Sequence, residues 1–193
     1  DDIQDRLPWK GGPVYGTAIS AINQALYDIA GRAWGVPVHT ILGGARRDRV
    51  RVYGHTSLDT PEAAVEGALA VRDAGFAGVK ANPLETRVWT RDHQAVTQST
   101  ECVAALRAAL GDDFDILLDA HGSPTAELSL EFAEAIAEFR PLFLEEPVKV
   151  GSVEALVEVS GKSPVPIATG EKLFHLRDFL PLIEARACAY LQP

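Results

Sequence analysis

Three carboxylates recur at equal spacing, each directly after a short apolar run. Asp119, Glu145 and Glu171 are separated by 26 residues from one to the next. If each run is a strand and each interval one strand–helix unit, the three side chains meet at one edge of a parallel sheet. Carboxylates this close need a cation between them, and oxygen ligands suit a hard one. One acidic residue at a strand end has a structural explanation, but three at equal spacing predict an Mg²⁺ site.

Two more pairs of polar residues occupy positions i and i+2 at predicted strand ends. His121 follows Asp119 by two residues, so alternation along an extended strand predicts an imidazole beside the metal. Such a histidine can move a proton near neutral pH, or it can simply ligate or hydrogen-bond within the rim. Lys80 and Asn82 repeat the pattern on an earlier strand. Lys80 is expected to contact an anionic substrate or act as a base, with a lysine satisfied within the rim as the alternative.

Short apolar runs alternate with amphipathic segments from Val50 onward, after a first helix predicted over 18–34. This alternation predicts parallel strands with right-handed crossovers, and the lack of a glycine-rich nucleotide loop favours a barrel over an open sheet. Six strands do not close an eight-stranded (β/α) TIM-type barrel, so we expect a partial barrel whose remaining strands lie beyond Pro193. The predicted strands are 50–57, 78–83, 115–121, 142–147, 166–171 and 189–193, and the predicted helices between them are 60–74, 92–110, 125–139, 152–160 and 175–185.

The amino-acid composition and net charge limit the functional classes to which the chain could belong. Hydrophobic residues make up 47% of the 193 residues, as in a globular domain, and the net charge of −9 argues against nucleic acid as a partner. Cys102 and Cys188 both lie in apolar patterns, which favours two buried thiols over a disulfide. The sequence has neither a bilayer-length apolar stretch nor an apolar signal-peptide core near its start, so we expect no membrane partner and a cytoplasmic protein.

Several sequence motifs are specific when taken together. They are residues 18–32 with Gly35-Val36-Pro37 and Leu42-Gly43-Gly44, Asp119-Ala120-His121-Gly122, Arg140 to Pro147, and Ile167 to Phe174. With these motifs the chain resembles the enolase superfamily in its mandelate racemase/muconate lactonizing enzyme branch, and within it the galactonate-type sugar-acid dehydratases. The resemblance covers nearly the whole chain. It implies that residues 1–45 are the tail of an α+β capping domain with its linking helix, and that 46–193 are strands one to six of the barrel.

The resemblance also implies a chemistry. Asp119, Glu145 and Glu171 would bind Mg²⁺, which holds the substrate carboxylate and stabilises the enediolate left by loss of the α-proton. His121 would protonate the departing β-hydroxyl, and Lys80 with Asn82 would contact the substrate, a small anionic sugar acid that becomes a 2-keto-3-deoxy acid. The base in this group is a histidine ending the seventh strand, paired with an aspartate ending the sixth. We expect both beyond the printed sequence, which makes the chain a fragment.

Two other readings share these residues. A racemase or epimerase of the same branch would use the metal and the enediolate without losing a leaving group. A catalytically inactive fragment would bind a divalent ion or associate with itself, because an unclosed sheet exposes strand edges; those edges also lead us to expect a homo-oligomer. Product analysis separates dehydration from epimerisation, and metal binding without turnover identifies the inactive fragment.

Overall fold

The computed structural model describes residues 12–84, 92–149 and 152–193, excluding the side chains of Pro13 and Asp92. The chain divides into two compact units, Asp1–Val50 and Arg51–Pro193.

The first unit is helical. Helix α1 runs over Pro13–Trp34 and confirms the predicted helix, although it begins five residues earlier, with proline in its first turn. Gly35 ends it in the left-handed conformation (φ +67°), which glycine adopts without steric cost. A short helix α2, Val38–Ile41, follows. The assignment of this region to a capping domain stays a prediction.

The second unit alternates strands and helices as predicted. The six strands are parallel and lie side by side in chain order, β1 to β6, so the predicted α/β class with a parallel sheet is confirmed. The order of elements is β1 Tyr53–His55, α3 Pro61–Asp73, β2 Gly78–Ala81, α4 Asp92–Leu110, β3 Asp115–Asp119, α5 Ala126–Ile136 with a 3₁₀ turn Ala137–Phe139, β4 Phe143–Glu145, α6 Val153–Lys162, β5 Ile167–Thr169, α7 Leu176–Glu184 and β6 Tyr190–Leu191.

Side-chain caps explain where two of the helices begin. The Thr60 hydroxyl accepts a hydrogen bond from the Ala63 amide at 3.2 Å, ahead of a proline in the first turn of α3. The Ser152 hydroxyl accepts one from the Ala155 amide at 3.1 Å at the start of α6. Each cap satisfies an amide that the helix itself leaves without a partner.

Both faces of the sheet are apolar, as expected for parallel strands. Alternation along β3 sends Ile116 and Leu118 into the large core beneath the helices, while Leu117 packs with Phe143 and Ala168 on the opposite side. We call this opposite side the inner face. It matters for function because a residue two positions beyond an inner-face residue on the same strand points to the inner face as well.

Candidate metal centre

Two of the predicted ligands, Asp119 and Glu145, are the last residues of neighbouring strands. They are paired directly in the β3–β4 register, two positions beyond the paired inner-face residues Leu117 and Phe143. Their side chains therefore point to the inner face at the same height. Both residues are only 1% exposed, although charged carboxylates are rarely buried without a partner.

The partner of both carboxylates is Lys80. Its ammonium nitrogen lies 2.8 Å from Asp119 Oδ2 and 2.7 Å from Glu145 Oε2, and its side chain is 11% exposed. The β2–β3 register pairs Lys80 with Leu117, which puts it on the inner face. Burial by itself would lower the pKa of Lys80. The hydrogen bonds and negative charges of the two carboxylates outweigh that effect and raise its pKa, so the ammonium stays protonated.

His121 reaches the site by a different route from the one that the sequence predicted. Strand β3 ends at Asp119, and the backbone of His121 is left-handed (φ +53°), so strand alternation does not apply to it. That part of the expectation was wrong. The turn brings His121 Nε2 to 3.1 Å from Asp119 Oδ2, and Asp119 Oδ1 accepts a hydrogen bond from the His121 amide at 2.9 Å. The imidazole side chain remains 45% exposed and accessible from solvent.

Glu171 completes a group that fits a cation. It lies two residues beyond the end of β5, after Gly170, whose φ of +137° is open to glycine but strained for other residues. Ligand atoms of Asp119, His121 and Glu171 all lie within 4.8 Å of one another. The carboxylates of Asp119 and Glu171, with the Glu145 carboxylate on the strand next to Asp119, form an oxygen donor set that suits a divalent metal ion, and the His121 imidazole lies beside them. The specific ligand roles of Asp119, Glu145 and Glu171 stay predictions.

Asn82 does not join this cluster. It lines a cavity of about 760 Å³ beside the ends of β1 and β2, together with His55, Ser57 and Gln98. Lys80 and Asn82, predicted as a substrate-binding pair, therefore have different environments. Lys80 contacts the carboxylates, and Asn82 lines the neighbouring cavity.

Two residues at the site were not predicted, Glu146 and Lys172. Glu146 is 1% exposed with a left-handed backbone (φ +46°), and its carboxylate accepts from the Thr169 hydroxyl at 2.6 Å and from the Gly170 amide at 3.1 Å. Lys172 Nζ lies 3.2 Å from Glu146 Oε2. The doubled acid Glu145-Glu146 is visible in the sequence, but nothing in it indicates that the second carboxylate is buried on a different side.

The family models match both parts of the chain. The family described as "Enolase C-terminal domain-like" matches residues 63–193, and the one described as "Mandelate racemase / muconate lactonizing enzyme, N-terminal domain" matches residues 6–43. The chain belongs to the enolase superfamily. The predicted family and branch are thus confirmed, and the six parallel strands are part of that superfamily's barrel.

Comparisons with named relatives and with solved structures agree with this family assignment. D-galactonate dehydratases from Ralstonia nicotianae and Verminephrobacter eiseniae are 37% and 36% identical over 185 residues, which is 96% of this chain and 48% of each relative. A crystal structure of an enolase-superfamily member from Salmonella Typhimurium matches with a TM-score of 0.87 at 27% identity, covering 95% of this chain and 52% of that one. A mandelate racemase/muconate lactonizing enzyme-like protein from Rubrobacter xylanophilus matches with a TM-score of 0.78 at 30% identity, covering 87% and 49%. The enolase-superfamily chain thus spans about half the length of the curated relatives it matches.

A further expectation concerns the two cysteines. Cys102 and Cys188 are both free thiols, as predicted; Cys102 is buried, as expected, whereas Cys188 is only partly buried. Burial raises the pKa of each, and for Cys102 nearby acidic residues raise it further. Across the described ranges, every helix falls short of the length and apolarity needed to cross a membrane.

Proposed function

We propose that this chain carries the metal site and the general acid of an Mg²⁺-dependent sugar-acid dehydratase, which converts an aldonate such as galactonate to a 2-keto-3-deoxy acid. One observation carries the proposal: the ligand atoms of Asp119, His121 and Glu171 converge within 4.8 Å at the carboxyl ends of parallel strands, where barrel enzymes hold their chemistry. The D-galactonate dehydratase relatives support the choice of reaction.

The acidic side chains would hold the metal. Asp119 and Glu171 belong to the converging group, and Glu145 is the register neighbour of Asp119 on the next strand. When bound, Mg²⁺ would hold the substrate carboxylate and stabilise the negative charge that appears after loss of the α-proton.

His121 is the proposed proton donor for the departing hydroxyl. Its ring nitrogen Nε2 lies 3.1 Å from Asp119 Oδ2, a contact that orients the ring at the rim. The ring is 45% exposed, so a substrate bound at the rim can reach it. Proton transfer to the β-hydroxyl makes it leave as water.

Lys80 suits substrate binding better than proton abstraction. The two carboxylates beside it raise its pKa and hold it protonated, whereas a base must be neutral before it can accept a proton. The positive charge of Lys80 instead helps to balance an anionic sugar acid at the rim.

Metal binding is the first test. We expect calorimetric titration of Mg²⁺ into the chain to give a saturable site. Asp119→Asn should weaken it about 10- to 100-fold or more, since it removes a charged ligand while keeping the size of the side chain. Asp112→Asn is the matched control, because Asp112 is a 71% exposed surface carboxylate paired with Arg140. Equal affinities in the two variants would rule out the proposed ligand set.

Product analysis tests the reaction, with the polypeptide that contains this chain in its complete reading frame and a library of acid sugars. We expect a 2-keto-3-deoxy acid from the wild type. His121→Gln should suppress dehydration while leaving exchange of the substrate α-proton with deuterated solvent, because the acid acts after proton abstraction. Exchange with inversion at the α-carbon and no dehydration would favour the epimerase. Mg²⁺ binding without any turnover would favour the inactive fragment.

A further inference from the structure

The ion pair between buried Glu146 and Lys172, whose side chain is 38% exposed, lies beside the proposed metal ligands and has no part in the chemistry described above. Glu145 and Glu146 are consecutive, yet their carboxylates contact residues of different strands. Glu145 faces Lys80 on the β2 side, whereas Glu146 reaches the Thr169 hydroxyl and the Gly170 amide at the end of β5. The backbone of Glu146, where the two carboxylates take different directions, is left-handed (φ +46°). Non-glycine residues in this conformation are uncommon and concentrate at functional sites.

The Lys172 ammonium joins three strand ends. It donates to Glu146 Oε2 at 3.2 Å, after β4, and to the His121 carbonyl oxygen at 3.0 Å, after β3. It also lies 3.4 Å from Glu171 Oε1, after β5. The ammonium thus donates two hydrogen bonds, to the His121 carbonyl oxygen and to Glu146, and forms an ion pair with Glu171.

The backbone of His121 is consequently held from two sides. The amide of the next residue, Gly122, donates to the Glu146 carbonyl oxygen at 2.7 Å. The carbonyl of His121 itself accepts from Lys172. Gly122 is left-handed (φ +67°), and a Cβ added there would lie 3.2 Å from Lys172 Nζ, which shows how closely the lysine packs on this turn.

We propose that Glu146 and Lys172 form a latch that positions two groups of the site, the His121 imidazole and the Glu171 carboxylate. Glu146 anchors the ammonium, and the ammonium fixes the turn that carries His121 and the loop that carries Glu171. Both are positioning residues, since neither contacts the reacting atoms. The inference rests on the proposed function only in taking His121 and Glu171 as working groups of the site.

Two variants open the latch in different ways. Lys172→Met removes the ammonium and keeps most of the side-chain volume. Glu146→Gln keeps an oxygen for Thr169 and Gly170 but presents an amide N–H₂ to Lys172, which is a donor facing a donor. Lys162→Met is the matched control: it makes the same chemical change in a 60% exposed lysine on α6, paired with Glu158 on the same helix.

Three measurements are made on each variant: Mg²⁺ affinity by calorimetry, kcat with the sugar acid, and the Hε1 resonance of His121. With five histidines in the chain, that resonance is assigned from its disappearance in His121→Gln. We expect both latch variants to lose about 10- to 100-fold in metal affinity or kcat, the usual cost of removing partners that orient metal ligands. We also expect them to shift the His121 resonance. Lys172→Arg should recover part of the loss, and Lys162→Met should leave all three readouts at wild-type values.

The latch is overturned if the His121 resonance stays in place in Lys172→Met, or if metal affinity and kcat match those of Lys162→Met. A lower unfolding midpoint with unchanged affinity, kcat and resonance also overturns it, because the pair would then be a structural ion pair only. If the wild type neither binds Mg²⁺ nor dehydrates a sugar acid, the proposed function fails. The position of the His121 resonance then decides the latch separately.

Discussion

Replacing Lys80 by methionine leaves Asp119 and Glu145 buried without their shared cation. Both residues are 1% exposed, and the lysine side chain is 11% exposed. Removing one partner of a buried ion pair costs about 3–5 kcal/mol, because the remaining charge stays desolvated. The slight exposure of Lys80 at the rim places the expected loss near the lower end, about 3 kcal/mol of unfolding free energy in the presence of EDTA.

Divalent metal should offset part of this loss. If the two carboxylates bind Mg²⁺, the ion supplies the positive charge that Lys80→Met has removed. Mg²⁺ should therefore bind the variant more tightly than the wild type. By linkage, each ~1.4 kcal/mol recovered in excess Mg²⁺ corresponds to about tenfold tighter binding. Urea unfolding of both proteins, in EDTA and in Mg²⁺, measures the two quantities.

The control for this experiment is Lys162→Met. Lys162 and Glu158 form an exposed i, i+4 pair, worth about 0.3–0.5 kcal/mol. A Lys80→Met protein that is no less stable than this control would refute the view that Lys80 neutralises a buried acidic pair. A loss of the same size with and without Mg²⁺ would refute the link between Lys80 and the metal ligands.

Three other predictions concern the rest of the second unit. Burial raises the pKa of Cys102 and Cys188. The contribution of the two thiols to stability is therefore present below the thiol pKa of the unfolded chain and is lost as the pH rises through the folded value. Thiol modification should need a higher pH in the native chain than in denaturant. Arg107 donates to four backbone carbonyl oxygens at 2.6–3.2 Å, so Arg107→Met should lower the unfolding free energy by about 2–3 kcal/mol in urea, and a change below 0.5 kcal/mol would contradict this role. Gly122→Ala puts a Cβ on a left-handed residue and 3.1 Å from the carbonyl oxygen of Val148; it should cost about 1–2 kcal/mol by the same measurement, and an unchanged midpoint would show that the turn relaxes freely.

Much of the fold could be read from the sequence because its signals are local. Apolar runs of strand length alternate with amphipathic segments, and a parallel β/α arrangement follows from that alternation alone. Helix α4 has the predicted bounds, and α6 begins within one residue of its predicted start. The strands proved shorter than predicted: β3 ends at Asp119 rather than at residue 121, because the chain turns there through the left-handed backbone of His121.

The sequence by itself determined that three carboxylates follow neighbouring strands, because their equal spacing reflects a repeated strand–helix unit. Asp119 and Glu145 lie at equal height in the sheet, whereas the register partner of Glu145 on the next strand is Ala168, three residues before Glu171. Only the tertiary structure decided how these groups share their charges. Left-handed residues at His121 and Glu146 break the alternation that sequence reasoning assumes, and they redirect the side chains that follow. Whether Lys80 faces solvent or two buried carboxylates, and whether Lys172 reaches the His121 carbonyl 51 residues away, depends on contacts between strand ends. A periodicity within one strand carries no information about such contacts.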